Sequence, residues 1–123
     1  MSALESSIDA WRHHDVNAIG RWVTEACRVV ECYGPIHVGR ARVEEWATTW
    51  FGSGGVVHGW TITDLIATAD RGVAEWTFDF TWRGSRSQLR GCSIATIQID
   101  RIALLHEYRT ESDTYEWAGA WRD

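Results

Sequence analysis

The sequence predicts an α+β protein in which three N-terminal helices pack across the concave face of a curved, mainly antiparallel sheet. Three observations carry this. Apolar residues recur at helical spacing in three segments before residue 53, interrupted by the β-branched run Cys27–Tyr33. From Val56 onward the chain is almost continuously strand-like, broken by polar turn segments. Residues 72–82, GVAEWTFDFTW, alternate with a period of two, placing Trp76, Phe78, Phe80 and Trp82 on one face and Glu75, Thr77, Asp79 and Thr81 on the other.

The first helix opens at Ser2-Ala-Leu-Glu5, which has capping-box form, and Leu4, Ile8 and Trp11 follow at i, i+4 and i+7. His13-His14 breaks it. Asp15 caps a second helix whose apolar side is Ile19, Trp22 and Val23. Cys27–Tyr33 is a strand ended by Gly34-Pro35, because proline cannot donate to a ladder. After Gly39, Val43, Trp46, Ala47 and Trp50 form one helical stripe, closed by Gly52 and the loose GSGG. Four strands then follow in a meander: VVHGWTITDLIAT, the aromatic strand, LRGCSIATIQI and IALLHEYRT, with ADRG, RGSRS and Asp100-Arg101 as links. The tail, ESDTYEWAGAWRD, shows no clear period. The chain contains no repeat, linker or low-complexity segment, so residues 1–123 are expected to form one domain.

A long antiparallel sheet twists and curls, and helices across its mouth enclose a cone-shaped hollow. Rings on the inner face of the aromatic strand would narrow that hollow into a pocket. Nine Trp residues in 123 are more than a core of this size needs, which supports the same reading. The expected lining is Trp22, Trp46, Trp50, Trp60, Trp76, Phe78, Phe80 and Leu105, suited to a small hydrophobic molecule that is planar or polycyclic. The competing expectation is a filled core, with the domain serving as a non-catalytic binding or dimeric interaction module.

Charge and composition exclude other classes. The formal net charge is −5, and the twelve basic residues are all Arg, scattered along the chain, so nucleic acid is not an expected partner. No apolar run approaches the roughly 20 residues of a membrane span. Cys27, Cys32 and Cys92 lack CxxC spacing and are read as reduced, inert thiols of a cytoplasmic protein. There is no H-x-x-x-H or Cys/His cluster to hold a metal, no phosphate or dinucleotide loop, and no cofactor is expected.

The segments VVECYGPIHVGRARVEEW (29–46), VAEWTFDF (73–80), RGCSIATIQID (90–100) and RIALLHEYRT (101–110), with the order of elements, resemble the nuclear transport factor 2-like superfamily. The similarity is to its SnoaL-like and ketosteroid-isomerase-like branch and spans about residues 4–112. It implies the cone-shaped roll directly. It implies no single reaction, since the superfamily holds isomerases, polyketide cyclases, epoxide hydrolases, dehydratases and members without chemistry. Relatives often pair through the outer sheet face, which by strand parity carries Ile94, Ile102, Leu104 and Tyr108 here, so a homodimer is expected.

Four residues are candidates for chemistry. Glu31 sits among apolar neighbours at a strand end, where desolvation favours a neutral carboxyl and suits general acid–base work; relatives carry a catalytic Asp or a water-holding amide there. It could equally face solvent or pair with Arg28 or Arg40. Glu107 falls where epoxide hydrolases of the superfamily carry a catalytic Asp, although a surface pair with Arg109 would also explain it. Thr110 stands where many SnoaL-like relatives have an acidic residue, which counts against a cyclase-type acid at that position. In the aromatic strand the inward positions are Trp76 and Phe78, and Asp79 points outward, so an Asp-Arg-Asp relay is missing. The resulting expectation is Glu31 as base and Glu107 as acid or water-orienting partner. Arg109 would hold Glu107 or stabilise developing charge, and His58, sharing parity with Trp60 and Ile62, is the reserve candidate.

Overall fold

The computed structural model describes residues 1–122 and has the α+β architecture that the sequence predicts. Helix α1 (Ala3–Arg12) starts with the expected capping box. The Glu5 N–H donates to Ser2 Oγ at 3.2 Å, and the Ser2 N–H donates to Glu5 Oε1 at 2.9 Å. Leu4, Ile8 and Trp11 form its buried side. Helix α2 (Val16–Arg21) is capped by Asp15, whose Oδ1 accepts the Ala18 N–H at 3.1 Å. Helix α3 (Arg40–Gly52) buries Val43 and Ala47 and leaves Trp46 and Trp50 half-buried beside them.

Six strands form one curved, unclosed sheet: β1 (Val23–Glu31), β2 (Ile36–Val38), β3 (Val56–Ala67), β4 (Arg71–Trp82), β5 (Ser85–Gln98) and β6 (Arg101–Thr110). Their order is β2-β1-β6-β5-β4-β3. All neighbours are antiparallel except β1 and β6, which run parallel and set Glu31 directly beside Glu107. The core lies between α1–α3 and the concave face, centred on Leu4, Ile8, Ile19, Val29, Val43, Ala74, Ala95 and Ile102. Among the described residues no helix is long and apolar enough to cross a membrane.

Several local expectations are corrected. The second helix ends at Arg21, so Trp22 is its C-cap and Val23 opens β1. Chain after Gly34-Pro35 forms the short strand β2 rather than a loop. Pro35 itself stays in the turn, accepting the Glu31 N–H at 2.9 Å, while Ile36–Val38 pair with β1.

Irregularities in β6 and near the start of β3 reverse strand parity. In β6, Leu104 faces Thr96 but Ile102 faces Ile97, so Ala103 is an extra residue and Ile102 and Leu105 point to the same side. Ile102 is therefore fully buried, not on the outer face, whereas Ile94, Leu104 and Tyr108 retain outward parity. In β3, Val57 faces Phe80 and Gly59 faces Asp79, leaving His58 as the extra residue; Val57 and Trp60 both turn inward.

Gly91 is dictated by a close approach. It lies between Trp76 and Arg109 in the β4–β5–β6 register, and a Cβ there would collide with the Tyr108 carbonyl oxygen of β6 and fall 2.7 Å from Cη2 of Trp76. Only a bare backbone lets that indole lie across β5.

Candidate functional site

A cavity of about 110 Å³ opens on the concave face of the sheet. Trp11 of α1 and Trp46 and Trp50 of α3 form its helical wall; Trp60, Trp76, Phe78, Phe80 and Leu89 form the sheet wall. Glu31, Cys32, Tyr33, Glu107 and Arg109 close the end where β1 and β6 run side by side. The rings support one another in tilted and edge-on contacts. Trp60 meets Phe78 at 4.7 Å and Trp76 at 5.4 Å, and Trp11 meets Trp46 at 5.0 Å between centroids.

Glu107 is the most perturbed group of the site. Burial pushes its carboxyl up to about 7, and the negative charge of Glu31 adds to the rise; the Ser93 hydrogen bond and the Arg109 guanidinium work against it. A short relay fixes its position. Trp76 Nε1 donates to Ser93 Oγ at 2.9 Å, and Ser93 Oγ donates to Glu107 Oε2 at 2.9 Å. Ser93 is fully buried, so the relay is shielded from competing water. With Oε2 engaged, Oε1 is the atom left to carry or release a proton.

Glu31 is held differently. His37 Nε2 lies 2.9 Å from its Oε2, as donor to the carboxylate, and the Tyr33 hydroxyl donates to the same oxygen at 3.1 Å. The His37 ring stacks on Trp46 at 4.1 Å and 10°, so the aromatic wall orients the imidazole that orients the carboxylate. Burial and the neighbouring Glu31 push the Tyr33 phenol above its usual range, which keeps it a donor. Arg109 forms no salt bridge with Glu107; its guanidinium sits 4.5 Å from the Tyr33 ring centroid at the rim. Trp60 Nε1 is buried and has no hydrogen-bond partner among the described residues.

Nine of the expected residues converge on this cavity: Glu31, Glu107, Arg109, Trp46, Trp50, Trp60, Trp76, Phe78 and Phe80. Three do not. Trp22 follows the early end of α2 and lines a separate groove with Ile97 and Gly72. Leu105 is buried deeper, against a small void of about 20 Å³ that it shares with Glu107 and Ser93. His58 is turned outward by the β3 irregularity, with Nε2 2.7 Å from Thr81 Oγ1. Trp82, despite its parity, is exposed beneath the Arg83 guanidinium, and Asp79 faces outward as expected, paired with Arg86 at 2.9 Å.

Sequence reading missed Trp11, Cys32, Tyr33, His37, Leu89 and Ser93. Ser93 carried one usable signal: it sits opposite Glu107 once β5 and β6 are paired. Cys32 is exposed rather than buried, because it lies just past the end of β1. Among the described residues no group of three or more His, Cys, Asp or Glu side chains is arranged to hold a metal ion.

The family model described as the SnoaL-like domain matches residues 4–105. The chain belongs to the SnoaL-like domain family. The match stops short of Glu107 and Arg109, so their place in the site comes from the structure alone. No curated protein sequence matches the chain. Among solved structures, this SnoaL-like domain is similar to an LEH-like epoxide hydrolase from M. tuberculosis, with 17% identity and a TM-score of 0.78 over 88% of this chain and 80% of that one. It is also similar to a protein of ketosteroid isomerase-like fold from Catenulispora acidiphila in complex with trimethylamine (16% identity, TM-score 0.71, covering 86% and 83%). A candidate polyketide cyclase from Xanthomonas campestris pv. campestris aligns with 16% identity and a TM-score of 0.72, covering 86% of each chain. At these identities the likeness establishes the shared fold.

Proposed function

We propose that this single SnoaL-like domain binds a small hydrophobic molecule in the aromatic cavity and performs cofactor-free acid–base chemistry on it, of the isomerase, cyclase, dehydratase or hydratase type. The observation that carries the reading is the Glu31–Glu107 pair at the end of that cavity, with the Glu107 carboxyl raised to about 7. A group poised near neutral pH passes between its acid and base forms at little cost, which is what general catalysis requires. Its neighbour is held by different donors, and paired carboxylates in unlike environments divide into acid and base roles.

The protonated Glu107, fixed through Oε2 by Ser93, offers a proton from Oε1 or orients a water. The Glu31 carboxylate, held by His37 and Tyr33, accepts the proton taken from the substrate. Arg109 and the Tyr33 hydroxyl lie where charge leaving the cavity would be met. The cavity of about 110 Å³ takes one ring, and further rings would stand in the open mouth. Trp60 Nε1, buried and unpaired, would be satisfied by an oxygen on the entering molecule. The same cavity argues against the filled-core interaction module.

Tryptophan emission provides the first test: titration with steroids, terpenoids and flat aromatic polyketides should quench it. The bound members are then incubated with the protein and the mixture analysed for isomerised, cyclised or hydrated products. Glu31→Gln and Glu107→Gln are each expected to lower turnover at least about tenfold while the protein stays folded. Quenching without turnover by any member would make the domain a binding module, and silence from the whole panel would favour a filled core.

A further inference from the structure

The walls and the end of the cavity carry opposite instructions for an uncharged ligand. Eight of the lining residues present aromatic rings, Trp11 and Tyr33 among them, and aromatic faces are electron-rich. At the β1–β6 end stand two carboxyl groups against a single guanidinium. A purely apolar ligand gains nothing from that second feature. An anionic ligand would meet Glu31, Glu107 and the negative ring faces, with only the rim-exposed Arg109 in its favour, and Arg109 already lies over Tyr33.

We propose that the preferred ligand of this cavity is a hydrophobic amine in its cationic form, its alkylated ammonium head enclosed by the indole and phenyl rings and its charge met by Glu31 and Glu107. The inference rests on the reading of the cavity as a ligand site and deepens it by assigning the charge of the ligand. Alkylammonium groups are recognised by aromatic walls because each ring attracts the diffuse positive charge while excluding water, and a nearby carboxylate adds Coulomb attraction in a site of low dielectric.

Three features of this chain agree. The rings are not used by the protein's own cations: the cation–ring contacts among the described residues are Arg83 on Trp82, Arg109 on Tyr33 and Arg122 on Tyr115, and only Tyr33 borders the cavity. The volume of about 110 Å³ suits a compact trimethylammonium-sized head, with the remainder of the molecule in the mouth. Arg109 bridges to neither carboxyl, and although His37 and Tyr33 both bond to Glu31 Oε2, the Glu31 charge still raises Glu107. A cation between the two would relieve that repulsion and release the Glu107 proton. The groups facing Glu107 are Glu31, Cys32 and Tyr33 across the β1–β6 seam, Arg109 on its own strand, Ser93 on β5, and His37 on β2 acting through Glu31.

The decisive measurement compares three molecules of similar shape by tryptophan quenching and calorimetry: phenyltrimethylammonium, its neutral carbon isostere tert-butylbenzene, and benzoate. Phenyltrimethylammonium is expected to bind about tenfold or more tighter than tert-butylbenzene. Its affinity should rise between about pH 6 and pH 8 as Glu107 becomes available as a carboxylate, with protons released on binding near pH 7. In Glu31→Gln its affinity should fall about tenfold while that of tert-butylbenzene holds. The wild-type pH series needs no variant and stands if Glu31→Gln does not fold. Equal or tighter binding of tert-butylbenzene or benzoate, or a cation affinity independent of pH, would overturn the inference while leaving the cavity as a ligand site. Silence from all three, together with the steroid, terpenoid and polyketide panel, would overturn the ligand site itself.

Discussion

Glu107 concentrates the consequences of one buried carboxyl. Its ordinary value of 4.5 in the unfolded chain becomes about 7 in the fold, so the folded protein binds a proton more tightly than the unfolded one. The stabilisation from keeping Glu107 neutral is therefore full below about pH 4.5 and is lost as the pH rises to about 7. The interval corresponds to a loss on the order of 3 kcal/mol, at about 1.4 kcal/mol per pH unit. Urea unfolding across about pH 5 to 8 should show the wild-type midpoint falling, and Glu107→Gln should flatten that fall, since glutamine does not titrate. A wild-type midpoint rising over this range would contradict the burial of the carboxyl. The loss of stability toward neutral pH is the cost of ionising a carboxyl held in a desolvated place.

Single strands and helices decide which residues reach the site. Gly91 on β5 is the clearest case: the Gly91→Ala methyl collides with the Tyr108 backbone carbonyl oxygen of β6 and lies 2.7 Å from Cη2 of Trp76, so the β5–β6 backbone must shift and the indole is pressed away from Ser93. A cost of about 1–3 kcal/mol is expected, as for other overpacked sites, and thermal unfolding should show a lowered midpoint with the Glu107 pH dependence altered. Alternation in β4, the stripe of α3 and the capping box of α1 were legible in the sequence because each follows a local rule: period two, period 3.6, and a polar pair three residues apart. His58 and Ile102 were misplaced because parity counting assumes an unbroken ladder, and the extra residues at His58 in β3 and Ala103 in β6 invert the parity beside them. Trp22 was misplaced because the helical pattern runs one residue beyond the place where α2 stops. The contacts of His37 with Glu31 and of Ser93 with Glu107 were not legible for another reason: no local pattern encodes a side-chain contact between separate strands.

For the whole molecule, the convex face of the sheet is the surface that remains to be covered. Ile94 and Leu104 lie on it with Tyr108, which is 47% exposed, and the formal net charge of −5 gives two copies a mutual repulsion that an apolar patch must overcome. We expect a homodimer through this face, seen as a dimer by sedimentation at high micromolar concentration and strengthened by salt. Tyr108→Glu and Leu104→Glu should shift it toward monomer without disturbing the cavity, whose carboxyls point the other way. A monomer throughout the concentration range would remove the expectation.

The parallel seam between β1 and β6 also bears on how the chain comes together in time. Every other strand pair joins neighbours in sequence through a turn, but Glu31 and Glu107 meet only after all of residues 32–106 have been looped out and folded back. Such a closure draws its entropy cost early and its contacts late, so the hairpins of β3–β6 can form while the seam is still open. The hydrogen bond from the Cys32 amide to the Glu107 carbonyl, at 3.1 Å, is the clasp that records completion. A nascent or partly unfolded chain thus carries its rings and both carboxyls without bringing the carboxyls together.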